Sequence, residues 1–126
     1  MKIENVNDVI AFTRKAMEYG YNIDCFNYFE VLGDLKGFSH FKIIIFSVNS
    51  DNKIIIDFVS EKINISYRDT SAALDIPYKL TQKDKALLDL LAVDIDEYRA
   101  NKMQNILDKF FEPEKDSDTN NLNDED

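Results

Sequence analysis

The sequence predicts a single α+β domain with an N-terminal helix, a four-stranded antiparallel meander and two C-terminal helices on one face of the sheet. Three observations carry this prediction. Aromatic and β-branched residues are concentrated between Cys25 and Tyr67, with turn residues between the runs. Both flanking segments show apolar residues at helical spacing. At 126 residues the chain is about one domain long and can bury a core without disulfides or metals.

The first helix is predicted over residues 7–19. Asn7 or Asp8 can accept a hydrogen bond from the free amides of its first turn, and Gly20 suits a left-handed residue that ends it. Its apolar positions fall mostly on one side, namely Val9, Ile10, Phe12, Ala16, Met17 and Tyr19.

Four strands are predicted, over residues 26–32, 38–48, 53–59 and 63–68. The run FKIIIFSV is apolar on both faces and indicates an interior strand, whereas INISYR alternates and indicates one solvated face. Residues 49–52, Asn-Ser-Asp-Asn, are typical of a hairpin loop. Residues 21–32 also fit a helical stripe, so a helix remains the alternative for this segment.

Two helices are predicted in the last third of the domain. Thr81 and Asp84 form a capping-box pattern before a helix over residues 82–92, and Asp94 and Glu97 repeat it before a helix over residues 95–111. The second helix has an apolar face that we expect to cover the sheet, formed by Ile95, Tyr98, Met103, Ile106, Leu107 and Phe110.

The C-terminal segment, residues 112–126, differs sharply in composition from the predicted domain, residues 1–111. It holds seven acids, one Lys and one apolar side chain, so it carries −6 of the chain's net charge of −9. Such a segment cannot bury enough apolar area to offset the entropy of ordering, so we expect it to be disordered when free. Its acids are the predicted partner-binding residues: Glu112, Glu114, Asp116, Asp118, Asp124, Glu125 and Asp126.

The acidic balance excludes several function classes. With 24 acids against 15 bases, the chain lacks the excess of Lys and Arg that neutralises nucleic-acid phosphates or binds anionic membranes. No apolar run exceeds four residues, so the sequence predicts neither a membrane span nor a signal peptide, and we expect a cytoplasmic protein.

Candidate catalytic and metal-binding residues are few. Cys25 is the one cysteine and His40 the one histidine, so no zinc cluster or internal disulfide is expected. We interpret Cys25 as a small buried hydrophobe and His40 as a sheet residue bonded to backbone or water. The acids at positions 94, 96 and 97 could attract a divalent cation, but helix capping explains them better. The segment from Gly33 to Gly37 lacks a phosphate-loop motif and is interpreted as a turn, so no cofactor is predicted.

Seven aromatic residues lie close together in the strand region: Tyr21, Phe26, Tyr28, Phe29, Phe38, Phe41 and Phe46. A stacking platform for single-stranded nucleic acid would need a positive groove beside these rings, and the local charges do not supply one. Core packing is therefore favoured, with some rings available as anchors for a protein partner.

These observations favour a non-enzymatic acidic protein that occupies a basic surface of a target protein, such as a nucleic-acid-binding surface. A phage-type inhibitor of a nuclease and a toxin-immunity protein both fit. The 38 Ile, Asn and Lys residues have A/T-rich codons and suggest a low-GC bacterium, phage or plasmid as the source. The alternative is an oligomeric scaffold or regulatory subunit held by aromatic patches, in which acidity serves solubility only.

Overall fold

The computed structural model describes residues 2–29, 39–48, 51–59, 61–67 and 73–111. This part of the chain is α+β, as predicted. Its elements in chain order are α1 (Val6–Glu18), β1 (Asn22–Asn27), β2 (Ser39–Phe46), β3 (Lys53–Val59), β4 (Lys62–Tyr67), β5 (Ala73–Pro77) and α2 (Gln82–Phe111).

The five strands form one antiparallel sheet in the order β1-β2-β3-β4-β5. The predicted meander is therefore confirmed in kind, but it has five strands and not four. The additional strand, β5, contains Asp75 and Pro77, two residue types that are depleted in strands. It lies at the edge of the sheet, where a missing amide donor is tolerated, and Pro77 is its last residue.

The first predicted strand, residues 26–32, is wrong in position over its described residues, because β1 ends at Asn27; residues 30–32 lie outside the described part of the chain. β1 begins four residues earlier because this register pairs Ile23 with Ile45 and Cys25 with Ile43 on the core side. The helical alternative for this segment is also wrong over Asn22–Asn27. The hairpin between β2 and β3 is confirmed by the pairing of Phe46 with Lys53, although its first two residues, 49 and 50, lie outside the described part of the chain.

Both helices pack on the same face of the sheet. In one row of that face, Phe41 on β2 pairs with Phe58 on β3, which pairs with Ile63 on β4. The buried side chains of α1 and α2 join these strand residues in one core: Val6, Val9, Ala16, Ile23, Phe41, Ile43, Ile45, Ile56, Phe58, Ile63, Leu88, Leu91 and Ile95.

α1 begins one residue before its predicted start. Its N-cap is Asn5, whose side chain accepts a hydrogen bond from the Asp8 amide at 3.0 Å, so the predicted caps Asn7 and Asp8 are wrong. α1 ends at Glu18, one residue before its predicted end, and the predicted left-handed residue is confirmed: Gly20 has φ +84° and donates its amide N–H to the Met17 carbonyl at 3.0 Å. This left-handed residue turns the chain directly from α1 into β1.

α2 is one helix of 30 residues where two were predicted. The predicted break near residue 93 contains neither Gly nor Pro, and Leu91 and Ile95 on either side of it are both buried. Asp94 does not cap a second helix: it pairs with Arg14 of α1 at 2.7 Å. The first capping box is confirmed, because Asp84 Oδ2 accepts from the Thr81 amide at 3.0 Å.

Candidate functional site

The N-terminal two-thirds of α2 pack against the rest of the domain and form hydrogen bonds with it. Leu88, Leu91 and Ile95 are fully buried against the sheet and α1. The last attachments are two hydrogen bonds to the turn between α1 and β1. The Tyr98 hydroxyl donates to the Tyr21 carbonyl and Lys102 Nζ donates to the Gly20 carbonyl, both at 2.7 Å. The anchored part of the helix therefore ends at Lys102.

Beyond Lys102, every residue of α2 to Phe111 is exposed. Ile106 follows the buried Leu88 by 18 residues, or about five helical turns, so both lie on the same side of the helix. This side carries Met103 at 57%, Ile106 at 48% and Phe110 at 79% exposure. We call these three residues the helix-end surface. It extends the core-forming side of α2 past the sheet.

The expectation that this face covers the sheet is therefore only partly met: from Met103 onward its residues are exposed, although Met103 and Ile106 still border β1. A helix of 30 residues is about 45 Å long, whereas a strand of eight residues, the longest in the sheet, spans about 26 Å. The sheet ends before the helix does. The helical pattern of the sequence extends over the whole of α2. Because a break was predicted at residue 93, the length of this helix was underestimated.

A crevice of about 190 Å³ lies at the base of the helix-end surface, between α2 and β1. Ile23, Tyr98, Met103 and Ile106 contribute its apolar walls. The cations at its rim are already engaged, since Lys102 binds a carbonyl and Arg99 pairs with Asp24 at 3.2 Å. The crevice therefore presents apolar walls, and both cations that line it are paired within the domain.

A larger cavity, about 420 Å³, lies between α1 and the ends of β2, β3 and β4. Phe12, Tyr19, Tyr21 and Tyr67 contribute aromatic walls to it. The Tyr67 hydroxyl donates to Asn52 at 2.8 Å, which holds one wall in place. Tyr21, one of the predicted aromatic cluster, thus lies beside this cavity.

The remaining predicted aromatics divide between core and surface. Phe41 is fully buried and Phe29 packs against it with ring centroids 5.7 Å apart, so core packing is confirmed for these two. Phe26 and Tyr28 stack on each other at 6.2 Å outside the core. Phe38 lies outside the described residues.

Cys25 is partly buried and packs against the core, whereas a fully buried small hydrophobe was predicted. Burial raises the pKa of its thiol to about 12, Asp96 adds to the rise, and Arg99 opposes it. The thiol therefore stays protonated at neutral pH, and a protonated thiol is a poor nucleophile.

His40 lies on β2, and its carbonyl accepts the Tyr28 amide at 2.8 Å. Its imidazole packs beside Phe29, with ring centroids 6.3 Å apart. The buried Nε2 atom has no hydrogen-bond partner among the described residues.

The acids at the predicted second capping box do not form a metal-binding group. Across the described ranges, no three His, Cys, Asp or Glu side chains come together closely enough to hold a metal ion. Asp94 faces α1, where Arg14 neutralises it, whereas Asp96 and Glu97 are exposed.

The predicted partner-binding acids, Glu112, Glu114, Asp116, Asp118, Asp124, Glu125 and Asp126, lie outside the described residues, as does the Gly33–Gly37 turn. The helix-end surface is the functional candidate that the sequence prediction missed, because its residues were assigned to the core.

The comparisons with known proteins give no further guide. No family model matches the chain, and neither a curated protein nor a solved structure matches it. Within the described residues, no helix has the length and apolar character needed to span a membrane.

Proposed function

We propose that this protein is a non-enzymatic binding protein that docks the C-terminal end of α2 into an apolar groove on a target protein, with basic residues beside the groove. The observation that carries the proposal is the helix-end surface: Met103, Ile106 and Phe110 are exposed on one side of a regular helix. This spacing is the one by which amphipathic helices bind in grooves.

The free energy of burying apolar side chains supports the end of α2 as the main contact with the target. Moving a Met, Ile or Phe side chain from water into an apolar environment contributes about 1.5–3 kcal/mol each. Three such side chains together can supply the central contacts of an interface, and the crevice at their base can receive one apolar side chain in return.

The acidic segment supplies the second part of the proposal. It follows Phe111 directly in sequence and carries a net charge of −6. A target with basic residues beside its groove would be attracted by these acids before the helix docks, because electrostatic complementarity acts chiefly on the association rate. An inhibitor or immunity protein that covers a basic functional surface works in this way.

The test begins with capture from a lysate of a low-GC bacterium on the immobilised full-length protein. A true target is retained by the unmodified chain and by Val48→Asp, which places the same charge at an exposed apolar residue far from α2 in sequence. It is lost from Ile106→Asp. With the purified target, Ile106→Asp raises Kd about a hundredfold, which corresponds to about 2.7 kcal/mol.

Replacing the seven acids of residues 112–126 by Asn and Gln tests the electrostatic part separately. The association rate of the unmodified chain falls as salt rises to about 0.15 M, where the Debye length is about 8 Å. The neutralised variant loses most of this salt dependence and keeps its dissociation rate. Binding that ignores both Ile106→Asp and salt would refute the proposal.

A further inference from the structure

The cavity of about 420 Å³ between α1 and the ends of β2, β3 and β4 has an apolar floor. Ala16 of α1 and Ile45 of β2 line it and belong to the buried core, and Ile54 of β3 packs against that core beside them. The volume lies within the range of about 300–1,000 Å³ that is typical of small-molecule sites. The cavity is therefore large enough for a small ligand, and its floor favours an apolar one.

Three tyrosines lie at the mouth of this cavity. Tyr19, Tyr21 and Tyr67 line it and are 70%, 46% and 46% exposed. Phe12 of α1 also lines the cavity and packs against the core, so its ring lies deeper than the tyrosines. Aromatic rings contact other rings in offset-stacked or edge-to-face arrangements, and exposed apolar patches often mark binding grooves. The walls therefore favour a ligand that contains an aromatic ring.

Hydrogen bonds hold these walls in position. The Tyr21 amide donates to the Ala16 carbonyl at 3.1 Å, and the Tyr21 carbonyl accepts the Tyr98 hydroxyl of α2 at 2.7 Å. On the sheet side, the Tyr67 hydroxyl donates to Asn52 Oδ1 at 2.8 Å. A ligand therefore meets walls that are already placed, which reduces the conformational entropy lost on binding.

Lys15 is the one charged residue among the described residues that line the cavity. Its side chain is exposed and forms no ion pair within the described ranges, whereas the neighbouring Arg14 pairs with Asp94. In a chain with a net charge of −9, a cavity lined by a lysine and by no described acid favours an anionic group. Lys15 lies in the last turn of α1, where the helix dipole is negative, so a second negative charge on the ligand would be unfavourable.

We infer that this cavity binds a small aromatic compound with a single negative charge, such as an aromatic carboxylate. The ring lies among Phe12, Tyr21 and Tyr67, and the carboxylate lies beside Lys15. An exposed ion pair contributes little affinity, so the rings hold the ligand and Lys15 orients it. The inference does not rest on the proposed function, because no residue of the helix-end surface lines this cavity.

Titration of the full-length chain with naphthalene-2-carboxylate, followed by amide chemical shifts in NMR spectra, tests the inference. The amides around Ala16 and Ile54 shift in a saturable manner, with a Kd of about 1 mM for a ligand of about 13 non-hydrogen atoms. Acetate, which has the charge but no ring, causes no such shift. No saturable shift at these amides, or a shift confined to those around Ile106, overturns the inference.

A neutral ligand and a lysine variant together test the charge. 2-Naphthylmethanol keeps the ring and binds about two- to fivefold more weakly than the carboxylate. Lys15→Gln weakens the carboxylate by the same factor and leaves the alcohol unchanged. Lys83→Gln removes the same charge from an exposed site on α2 that does not line the cavity, and it changes neither Kd. If Lys15→Gln leaves the Kd of the carboxylate unchanged, or Lys83→Gln raises it equally, the anionic ligand class is overturned.

Tyr67→Ala tests the aromatic wall. It raises the Kd of both naphthalene compounds about tenfold, whereas Tyr67→Phe keeps the ring and most of the affinity. Phe26→Ala removes a ring of similar exposure, 40%, that does not line the cavity, and leaves binding unchanged. Ile106→Asp also leaves it unchanged, which separates this site from the proposed function. Thermal unfolding shows that each variant is folded. Equal affinity of Tyr67→Ala and Phe26→Ala for the carboxylate overturns the inference.

Discussion

The two parts of α2, before and after Lys102, differ in what they contact and resemble each other in sequence. Before Lys102, the core-forming side is fully buried at Leu88, Leu91 and Ile95. After it, the same side is exposed at Met103, Ile106 and Phe110. Apolar periodicity therefore identifies the apolar side of a helix. It does not identify how far the domain's own sheet covers that side.

The sharpest test of this comparison uses one substitution at two positions. Ile95→Ala removes a fully buried side chain and should lower the free energy of unfolding by about 2–5 kcal/mol. Ile106→Ala, on the same helix but half exposed, should change it by less than about 0.5 kcal/mol. Urea unfolding measures both. Equal losses would show that the end of α2 is packed against the domain.

The boundary between the two parts of α2 can be tested at Tyr98. Tyr98→Phe removes the hydroxyl that donates to the Tyr21 carbonyl but keeps the ring, so we expect a loss of about 0.5–1.5 kcal/mol. Amide hydrogen exchange should show faster opening of α2 near this residue and no change near Leu88. Unchanged exchange at both places would mean that this bond does not limit the motion of α2.

The smallest expected effect concerns the start of α2. Burial disfavours ionisation of Asp84, but hydrogen bonds from Tyr78 and Thr81 outweigh it and hold the pKa of this carboxyl below its usual value. The folded state therefore binds this proton less readily than the unfolded state. The ionised Asp84 therefore stabilises the folded state. This stabilisation is complete above about pH 4, the pKa of the carboxyl in the unfolded chain, and it is lost as the pH falls through the lower pKa of the folded state.

Asp84→Asn removes that titration. Its free energy of unfolding should be lower than that of the unmodified chain at neutral pH, and the difference should shrink as the solution is acidified below about pH 4. Chemical unfolding at a series of pH values measures this difference. A difference that stays constant from neutral to acidic pH would show that Asp84 contributes no linked proton.

Short-range chemistry made several features of the fold predictable. Gly20 ends α1 in a left-handed conformation, and Thr81 with Asp84 starts α2, because each motif satisfies free backbone groups within a few residues. The β2–β3 hairpin was equally predictable, since two Ile-rich runs flank a short polar loop. The interactions that form these helix ends and this hairpin join residues that are close in sequence, so the sequence alone is enough to predict them.

The errors share a different cause. The same type of motif, Asp94 with Glu97, predicted a helix start that does not exist, because Arg14 of α1 binds Asp94 and the buried Leu91 and Ile95 hold one continuous helix across the site. β1 was placed too late because its register depends on which residues of β2 it pairs with. Both outcomes depend on partners that are distant in sequence.

The sequence by itself determined the α+β class, the antiparallel order of the strand region and the apolar sides of both helices, because local propensity and periodicity control them. Only the tertiary structure decided that α2 is hydrogen-bonded to the α1–β1 turn as far as Lys102 and continues, exposed, to Phe111. The length of a helix follows from its own residues, but the extent of the surface beneath it follows from strands elsewhere in the chain. That difference in length exposes Met103, Ile106 and Phe110 and makes them available to a partner.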